Sequence, residues 1–386
     1  MISFWRWGRL ESEMAPPFSV TRRVSGFAAG LATVLVVLEM LIMISPFALY
    51  YYGVYGPIMD GLHRSAWTAW LPAFFLPHLF SFAHFPDLVG VGFWTFAIAF
   101  LAFLVTAAQL YYVKLWKKSV ARGWLYAKIR HPQYSLLAIA GFGLLIAWPR
   151  YLILLLYVSM LFAYGFLARN EERRMELAFG DSYRAYRDRT WKFLPWEPGT
   201  RLLRALFGRA ATRPAIRFGL WPAALLLSVG IAFELRAATV GLIPVAFFRN
   251  DSIVGVPLAA RLAPELSEQV KALLGNPAAT ERFERRPGSY VVHIAEDKRK
   301  LHHLFIDLGM RPAEARKFDV SGPVAVISRA TTPDSAAPIG AQLLAAGTTL
   351  EPLFFVETPT TPGVPQTKLV DLTIASFRGN RAAPLF

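Results

Sequence analysis

The chain has 386 residues, of which 55% are hydrophobic and only 17% charged, yet its formal net charge is +15. Soluble domains carry about 25% charged residues, so the composition excludes an ordinary soluble globule, and the 14% of aromatic residues exclude a disordered chain. The lack of cysteine excludes disulfides, thiolate metal sites and a cysteine nucleophile. Long uncharged stretches argue against a nucleic-acid binder and favour a membrane protein with cationic loops.

The excess positive charge lies in the first two thirds of the chain. Residues 247–386 hold 16 Lys+Arg and 14 Asp+Glu, so almost all of the +15 belongs to residues 1–246. Lysine and arginine accumulate in the cytoplasmic loops of membrane proteins. The basic loop between Lys114 and Arg130 and the basic segment 169–217 are therefore predicted to be cytoplasmic, together with the N-terminal segment.

Apolar runs predict about five membrane spans. A spanning helix needs roughly 20 predominantly apolar residues. Two shorter runs separated by Pro149 predict a tight helical hairpin with that proline at its tip. A further apolar stretch is interrupted by prolines and is predicted to be re-entrant or interfacial. The predicted spans are Gly26–Tyr52, Val89–Val113, Tyr134–Trp148, Tyr151–Ala168 and Phe218–Phe248, and the interrupted stretch is Trp67–Phe85.

The last third of the chain has the pattern of a small α+β domain. Pro264–Leu274 has apolar residues at helical spacing, and four segments alternate or are rich in β-branched residues, as strands do. These strand segments are Tyr290–Ile294, Val320–Ser328, Leu350–Glu357 and Leu369–Phe377. The predicted fold is thus an all-α polytopic membrane protein, with about five spans and a re-entrant or interfacial segment, followed by a small C-terminal α+β domain. Its predicted parts are a cytoplasmic segment (1–25), a membrane domain (26–200), a basic linker with the last span (201–248) and the C-terminal domain (249–386).

A candidate ligand site follows from the predicted hairpin. If both of its ends lie at the same membrane face, Arg130, His131 and Pro132 meet the segment Arg169–Glu172. Pro132 suits the first turn of a helix, whose N-terminus together with the adjacent cations favours an anion. Glu171 and Glu172 supply carboxylates that accept ammonium or hydroxyl groups. A zwitterionic ligand fits such a pair of walls, whereas the alternative interpretation is that these charges are topological anchors and surface ion pairs.

The same residues form an ordered series. Arg130-His131-Pro132-Gln133-Tyr134 is followed, after a hydrophobic hairpin, by Glu171-Glu172, Phe179-Gly180, Tyr183, Tyr186 and Pro195. Over about residues 105–197 this series resembles the isoprenylcysteine carboxyl methyltransferase family and the related membrane phospholipid methyltransferases. Members of that family are multispanning enzymes that bind S-adenosylmethionine in a cytoplasmic pocket and methylate a lipid-bearing acceptor.

The resemblance implies roles for individual residues. Arg130 lies near the methionyl carboxylate, Glu172 in preference to Glu171 takes the amine or ribose hydroxyls, and Arg169 orients the acceptor or the glutamates. No metal is implied. The implied cofactor-binding residues are Arg130, His131, Pro132, Tyr134, Glu171 and Glu172, and the implied catalytic residues are Arg169, Glu172 and His131.

The expected function is transfer of a methyl group from S-adenosylmethionine to a lipid-linked or amphipathic acceptor that carries a carboxylate, thiol or amine. One alternative is a membrane NADPH-dependent reductase, because membrane sterol reductases carry a similar Arg-His-Pro-x-Tyr element. Another is a non-catalytic assembly subunit that binds a protein partner through residues 249–386; Leu136, where the family often has glycine, keeps it open. The expected location is a bacterial inner (plasma) membrane, with the site cytoplasmic, the C-terminal domain outside, a membrane lipid or lipid-modified acceptor as partner and no nucleic acid.

Overall fold

The structure of the chain is a computed structural model. The predicted segment 1–25, most of the basic loop and the second half of Trp67–Phe85 lie outside the described residues. Apart from a few isolated positions, the described ranges are 40–50, 70–76, 88–113, 123–195, 214–240, 245–249, 252–258, 263–286, 288–331, 349–357 and 368–372.

The first part of the chain is helical. Within the described residues, three helices are long and apolar enough to cross a membrane, which indicates a membrane protein. They are Leu88–Tyr112, Tyr151–Arg189 and Gly219–Thr239. Two further apolar helices, Met40–Tyr50 and Pro132–Ala147, are shorter. The number of about five membrane spans therefore stays a prediction. The helices are α1 (Met40–Tyr50), α2 (Leu88–Tyr112), α3 (Pro132–Ala147), α4 (Tyr151–Arg189) and α5 (Pro214–Val240).

The predicted helical hairpin is confirmed. Helix α3 ends at Ala147 and α4 begins at Tyr151, so Pro149 lies in the turn between them. The two helices approach closely at Gly141, where a Cβ atom would lie 2.9 Å from the end of the Met160 side chain. The Tyr157 hydroxyl donates a hydrogen bond to the carbonyl of Ala138 at 3.2 Å. The hairpin therefore carries its two ends, Pro132 and the second half of α4, back toward each other.

A backbone kink at Gly180 ends the straight part of α4. Gly180 has φ 51° and ψ −125°, a conformation that side chains with a Cβ rarely adopt. The residues beyond the kink return to the start of α3, where Trp191 and Ile129 form an isolated parallel β-bridge. The glycine of the Phe179-Gly180 pair is thus explained by the structure, because glycine permits this turn.

The C-terminal domain is built on a sheet whose described strands run in the order β1-β2-β3-β4-β5-β6. Neighbouring strands are antiparallel except β2 and β3, which are parallel and are joined by two helices, as a parallel pair requires. The strands are β1 (Ala246–Phe248), β2 (Ile253–Pro257), β3 (Ser289–Ala295), β4 (Val324–Thr331), β5 (Thr349–Glu357) and β6 (Lys368–Asp371).

Helices cover both faces of this sheet. Val292 and Ile294 pack on one face with Phe283, while Val291 packs on the other with Leu304 and Phe305. This alternation follows from the two-residue period of a strand. The first face is covered by α6 (Ala263–Leu274) and α7 (Pro277–Arg285), and the second by α8 (Lys298–Asp307) and α9 (Pro312–Ala315).

The α+β character of the domain is confirmed, but its beginning differs from the sequence prediction. Helix α5 ends at Val240, not at Phe248, and Ala246–Phe248 forms β1. Hydropathy does not distinguish these two states, because a short apolar strand simply continues the apolar run of a preceding helix. The parallel strand β2 and the helices α7 and α8 had no sequence prediction.

Candidate functional site

The chain around His131 is fixed by backbone hydrogen bonds. The amides of Arg130 and His131 donate to the carbonyls of Trp191 (2.8 Å) and Lys192 (3.1 Å). The Ser135 hydroxyl donates to the carbonyl of Phe193 at 2.8 Å. The residues after the Gly180 kink therefore hold the N-terminal end of α3 in place. Pro132 is the first residue of α3, as predicted, where its missing N–H leaves no bond unmade.

Glu171 is held between two side chains of the series Arg130–Tyr134. The Tyr134 hydroxyl donates to Glu171 Oε1 at 2.6 Å, and His131 Nδ1 lies 3.2 Å from Glu171 Oε2. Hydrogen bonds to a carboxylate are short and strong because the acceptor is charged. The structure thus brings Tyr134 and His131 to Glu171, from which they are separated by 37 and 40 positions in the chain, respectively.

Glu172 is bound by cations. Arg130 Nε donates to Glu172 Oε1 at 2.8 Å, and Lys192 Nζ donates to Oε2 at 2.7 Å. His131 Nε2 lies 3.5 Å from Glu172 Oε1, beyond ordinary hydrogen-bonding distance. The Glu172 side chain is 17% exposed, against 28% for Glu171. Glu171 is therefore the more open carboxylate, although the resemblance favours Glu172 as the ligand contact.

Arg130 also closes the end of α4. Besides Glu172, its guanidinium donates to the carbonyls of Arg187 (2.7 Å) and Thr190. Carbonyls at the end of a helix lack intrahelical partners, and a cation there also complements the helix dipole. Arg130 thus positions the residues after the kink. Its implied contact with a methionyl carboxylate stays a prediction.

His131 is buried and carries a shifted pKa. Burial by itself lowers the pKa of the imidazole, but the hydrogen bond to Glu171 and the negative charges of Glu171 and Glu172 outweigh it and raise this pKa above its ordinary value. His131 consequently stays protonated to higher pH than an exposed histidine, as long as both carboxylates face it. In this state it donates a hydrogen bond to Glu171 and orients that carboxylate.

Lys192 was not anticipated from the sequence. Burial lowers its pKa, and although Glu172 opposes that shift, the charges of Arg169 and Arg130 reinforce it. No sequence signal marked this lysine, because it lies 20 residues after Glu172 and reaches it only through the Gly180 kink. Arg169 is itself exposed, and its described effect on the cluster is this electrostatic one.

Aromatic rings form the apolar side of the cluster. The rings of Tyr134 and Tyr164 are stacked with centroids 4.8 Å apart, and His131 lies 5.7 Å from Tyr134 and 5.9 Å from Phe193. Tyr164 lies one heptad before Glu171 on α4, so both face α3. The sequence analysis missed Tyr164, because a tyrosine within an apolar helix has no distinctive pattern.

Comparisons of the chain with protein-family models, with curated proteins and with solved structures give no match. The class of protein is therefore defined by the fold: a membrane protein with apolar helices and a C-terminal α+β domain. Its candidate site is a zwitterionic cluster in which two carboxylates face a protonatable histidine, an arginine and a lysine beside stacked aromatic rings. Such a cluster has the chemistry to bind a cationic or hydroxyl-bearing group at Glu171.

Proposed function

We propose that the chain is an integral membrane methyltransferase that uses S-adenosylmethionine and acts on a lipid-linked or amphipathic acceptor. The observation that carries this proposal is the arrangement of Glu171, whose carboxylate is oriented by Tyr134 (2.6 Å) and His131 (3.2 Å) and is the more exposed of the two glutamates. The resemblance of residues 105–197 to membrane methyltransferases supports the same activity.

The donor set fits the chemical groups of this cofactor. Glu171 is suited to accept the ammonium or the ribose hydroxyls, and the stacked rings of Tyr134 and Tyr164 supply an apolar surface beside it. S-adenosylmethionine supplies a methyl group activated on a sulfonium. The contribution of the protein to such a displacement is positioning and exclusion of water, and Arg130, Lys192 and the Gly180 kink serve that purpose by fixing Glu172 and the start of α3.

At Glu171 itself, a cationic group of a cofactor is favoured over a phosphate. The reductase alternative requires a site for the phosphates of NADPH, whereas the more open acidic group of the cluster, Glu171, repels phosphate. The cations Arg130 and Lys192 are already engaged with Glu172 at 2.8 Å and 2.7 Å. This electrostatic argument favours methyl transfer.

The proposal includes the location of the site. We place it at the cytoplasmic face of a bacterial inner (plasma) membrane, because the basic loop before Arg130 and the segment 169–217 carry the charge typical of that side. We also propose that the C-terminal domain lies on the same side of the membrane as the hairpin turn, and the 3.7 Å distance between Asp307 of that domain and Arg150 of the turn supports this placement. That side is then the outer one.

Binding of labelled S-adenosylmethionine to the purified chain in lipid nanodiscs tests the function. Glu171→Gln is expected to weaken binding by about tenfold or more, the loss expected for a charge-assisted hydrogen bond. The matched control is Glu176→Gln, on the same helix, whose carboxylate pairs with Arg184 and Arg187 outside the cluster and whose loss leaves binding unchanged. No binding by the wild-type chain in nanodiscs, or equal binding by Glu171→Gln, contradicts the proposal. Binding and oxidation of NADPH favours the reductase instead.

A further inference from the structure

The turn of the α3–α4 hairpin is held by a short segment from earlier in the chain. We call Leu71–Phe75 the turn strap. Its backbone bonds to the turn three times: Phe75 N to Pro149 O (2.8 Å), Tyr151 N to Ala73 O (3.1 Å) and Leu152 N to Leu71 O (2.8 Å). The strap and the turn are therefore connected by the same kind of bonds that join neighbouring strands.

Arg150 is the central side chain of this turn. Its guanidinium donates to the carbonyl of Pro72 at 2.6 Å and lies 3.9 Å from the centre of the Phe74 ring. Its Nη2 is 3.7 Å from Oδ1 of Asp307, a residue of the C-terminal domain. The Arg150 side chain is 13% exposed and that of Asp307 is 5% exposed. A pair so far removed from water is screened little by salt.

Asp307 lies where a negative charge is unfavourable without a nearby cation. Asp307 is the last residue of α8, where the helix dipole disfavours a negative charge. Burial there adds a desolvation cost, so a nearby cation is needed to offset both effects. Arg150 supplies that cation from a distant part of the chain. The strap has a second cationic contact, because Arg236 of α5 donates to the carbonyl of Phe74.

We propose that the C-terminal domain is docked on the hairpin turn through the Arg150–Asp307 ion pair, which makes the domain and the turn strap one cooperative unit. The surface of the turn is thus a binding surface for the C-terminal domain of the same chain. A change within the domain that moves Asp307 consequently loosens the strap. This coupling is independent of whether the chain transfers methyl groups.

Hydrogen–deuterium exchange of the full chain in nanodiscs tests this docking. In Asp307→Asn, the amides of Phe75, Tyr151 and Leu152 are expected to exchange about tenfold faster, because a substitution in the distant C-terminal domain removes the anionic partner of Arg150. The matched control is Asp319→Asn, in the same domain, whose 84% exposed carboxylate pairs with Lys298 at 2.6 Å. That variant leaves the three amides unchanged.

Arg150→Gln, which removes the other partner of the ion pair, provides a second test of the docking. If Asp307→Asn leaves exchange at the strap unchanged while strands β3 and β4 stay protected, the docking proposal is wrong. If Asp307→Asn instead unfolds the domain, Arg150→Gln carries the test from the other side. It is then expected to speed exchange at Leu308 and Met310, which follow α8, and unchanged exchange there overturns the proposal.

Discussion

Two buried histidines show how the surroundings of a side chain decide its charge. His131 faces the carboxylates of Glu171 and Glu172, which raise its pKa in spite of burial. His293 lies in strand β3 of the sheet, where neither ring nitrogen has a hydrogen-bond partner among the described residues, and burial lowers its pKa to about 3. The first histidine therefore favours the protonated state and the second the neutral state.

The shift at His293 predicts that acid destabilises the C-terminal domain. Its pKa is about 3 in the folded chain and about 6.5 when unfolded, so the stability present above pH 6.5 is lost as the pH falls toward 3. His293→Leu removes this loss and is expected to gain about 2 kcal/mol more stability, relative to wild type, at pH 5 than at pH 7.5. Exchange of the β3 and β4 amides in the full chain measures it.

The control for this prediction is His302→Gln. His302 is only partly buried and its Nε2 lies 2.8 Å from the carbonyl of Phe318, so its substitution leaves the acid sensitivity in place. An equal loss of protection at pH 5 in wild type and His293→Leu contradicts the assignment.

At the scale of elements, alanine substitutions at two glycines of α4 distinguish the effect of backbone conformation from the effect of packing. Within the part of the chain that the structure describes, a Cβ atom at either Gly165 or Gly180 meets nothing within 4 Å. Gly165 lies in regular helix, whereas Gly180 has φ 51° and turns the chain back toward the start of α3. Any difference between the two substitutions to alanine therefore comes from the backbone.

Gly180→Ala is expected to lower the stability of the fold by about 1–3 kcal/mol, the cost of a strained backbone conformation. Because Lys192 and Phe193 reach the cluster through this kink, the variant also speeds amide exchange at Arg130 and His131. Gly165→Ala is expected to be neutral or to stabilise the helix by about 0.5–1 kcal/mol. Thermal unfolding in nanodiscs compares the two, and equal midpoints contradict the role of Gly180.

At the scale of the whole molecule, the distribution of charge predicts which segments lie on which side of the membrane. The segment 169–217 carries 12 Lys+Arg and 6 Asp+Glu, whereas residues 247–386 are nearly balanced. Because the chain has no cysteine, single cysteines report accessibility without background. Arg173 in the second half of α4 and Arg311 in the C-terminal domain are both exposed and suit this purpose.

In intact cells, a membrane-impermeant maleimide is expected to label Arg311→Cys but not Arg173→Cys. After permeabilisation both variants react, which controls for the reactivity of the introduced thiol. Labelling of both residues, or of neither, in intact cells contradicts the proposed topology of the chain.

The sequence by itself determined the apolar and basic character, the hairpin around Pro149, the helix at 263–274 and the approximate positions of β3 to β6. These features depend on local periodicity, composition and proline, which act within a few residues. The sequence also selected Arg130, His131, Tyr134, Glu171 and Glu172 as one group, and the structure places these five side chains together.

Other features depended on contacts between distant parts of the chain. The ordering of the two glutamates, with Glu172 bound by Arg130 and Lys192 and Glu171 more open, arises only when the Gly180 kink returns Lys192 to the cluster. Likewise, Arg150 in the turn meets Asp307 only through tertiary packing. Local sequence sets which residues are apolar, charged or helical, but the partner of a buried charge is chosen by the fold, because burial makes each such charge depend on whichever opposite charge the tertiary structure brings near.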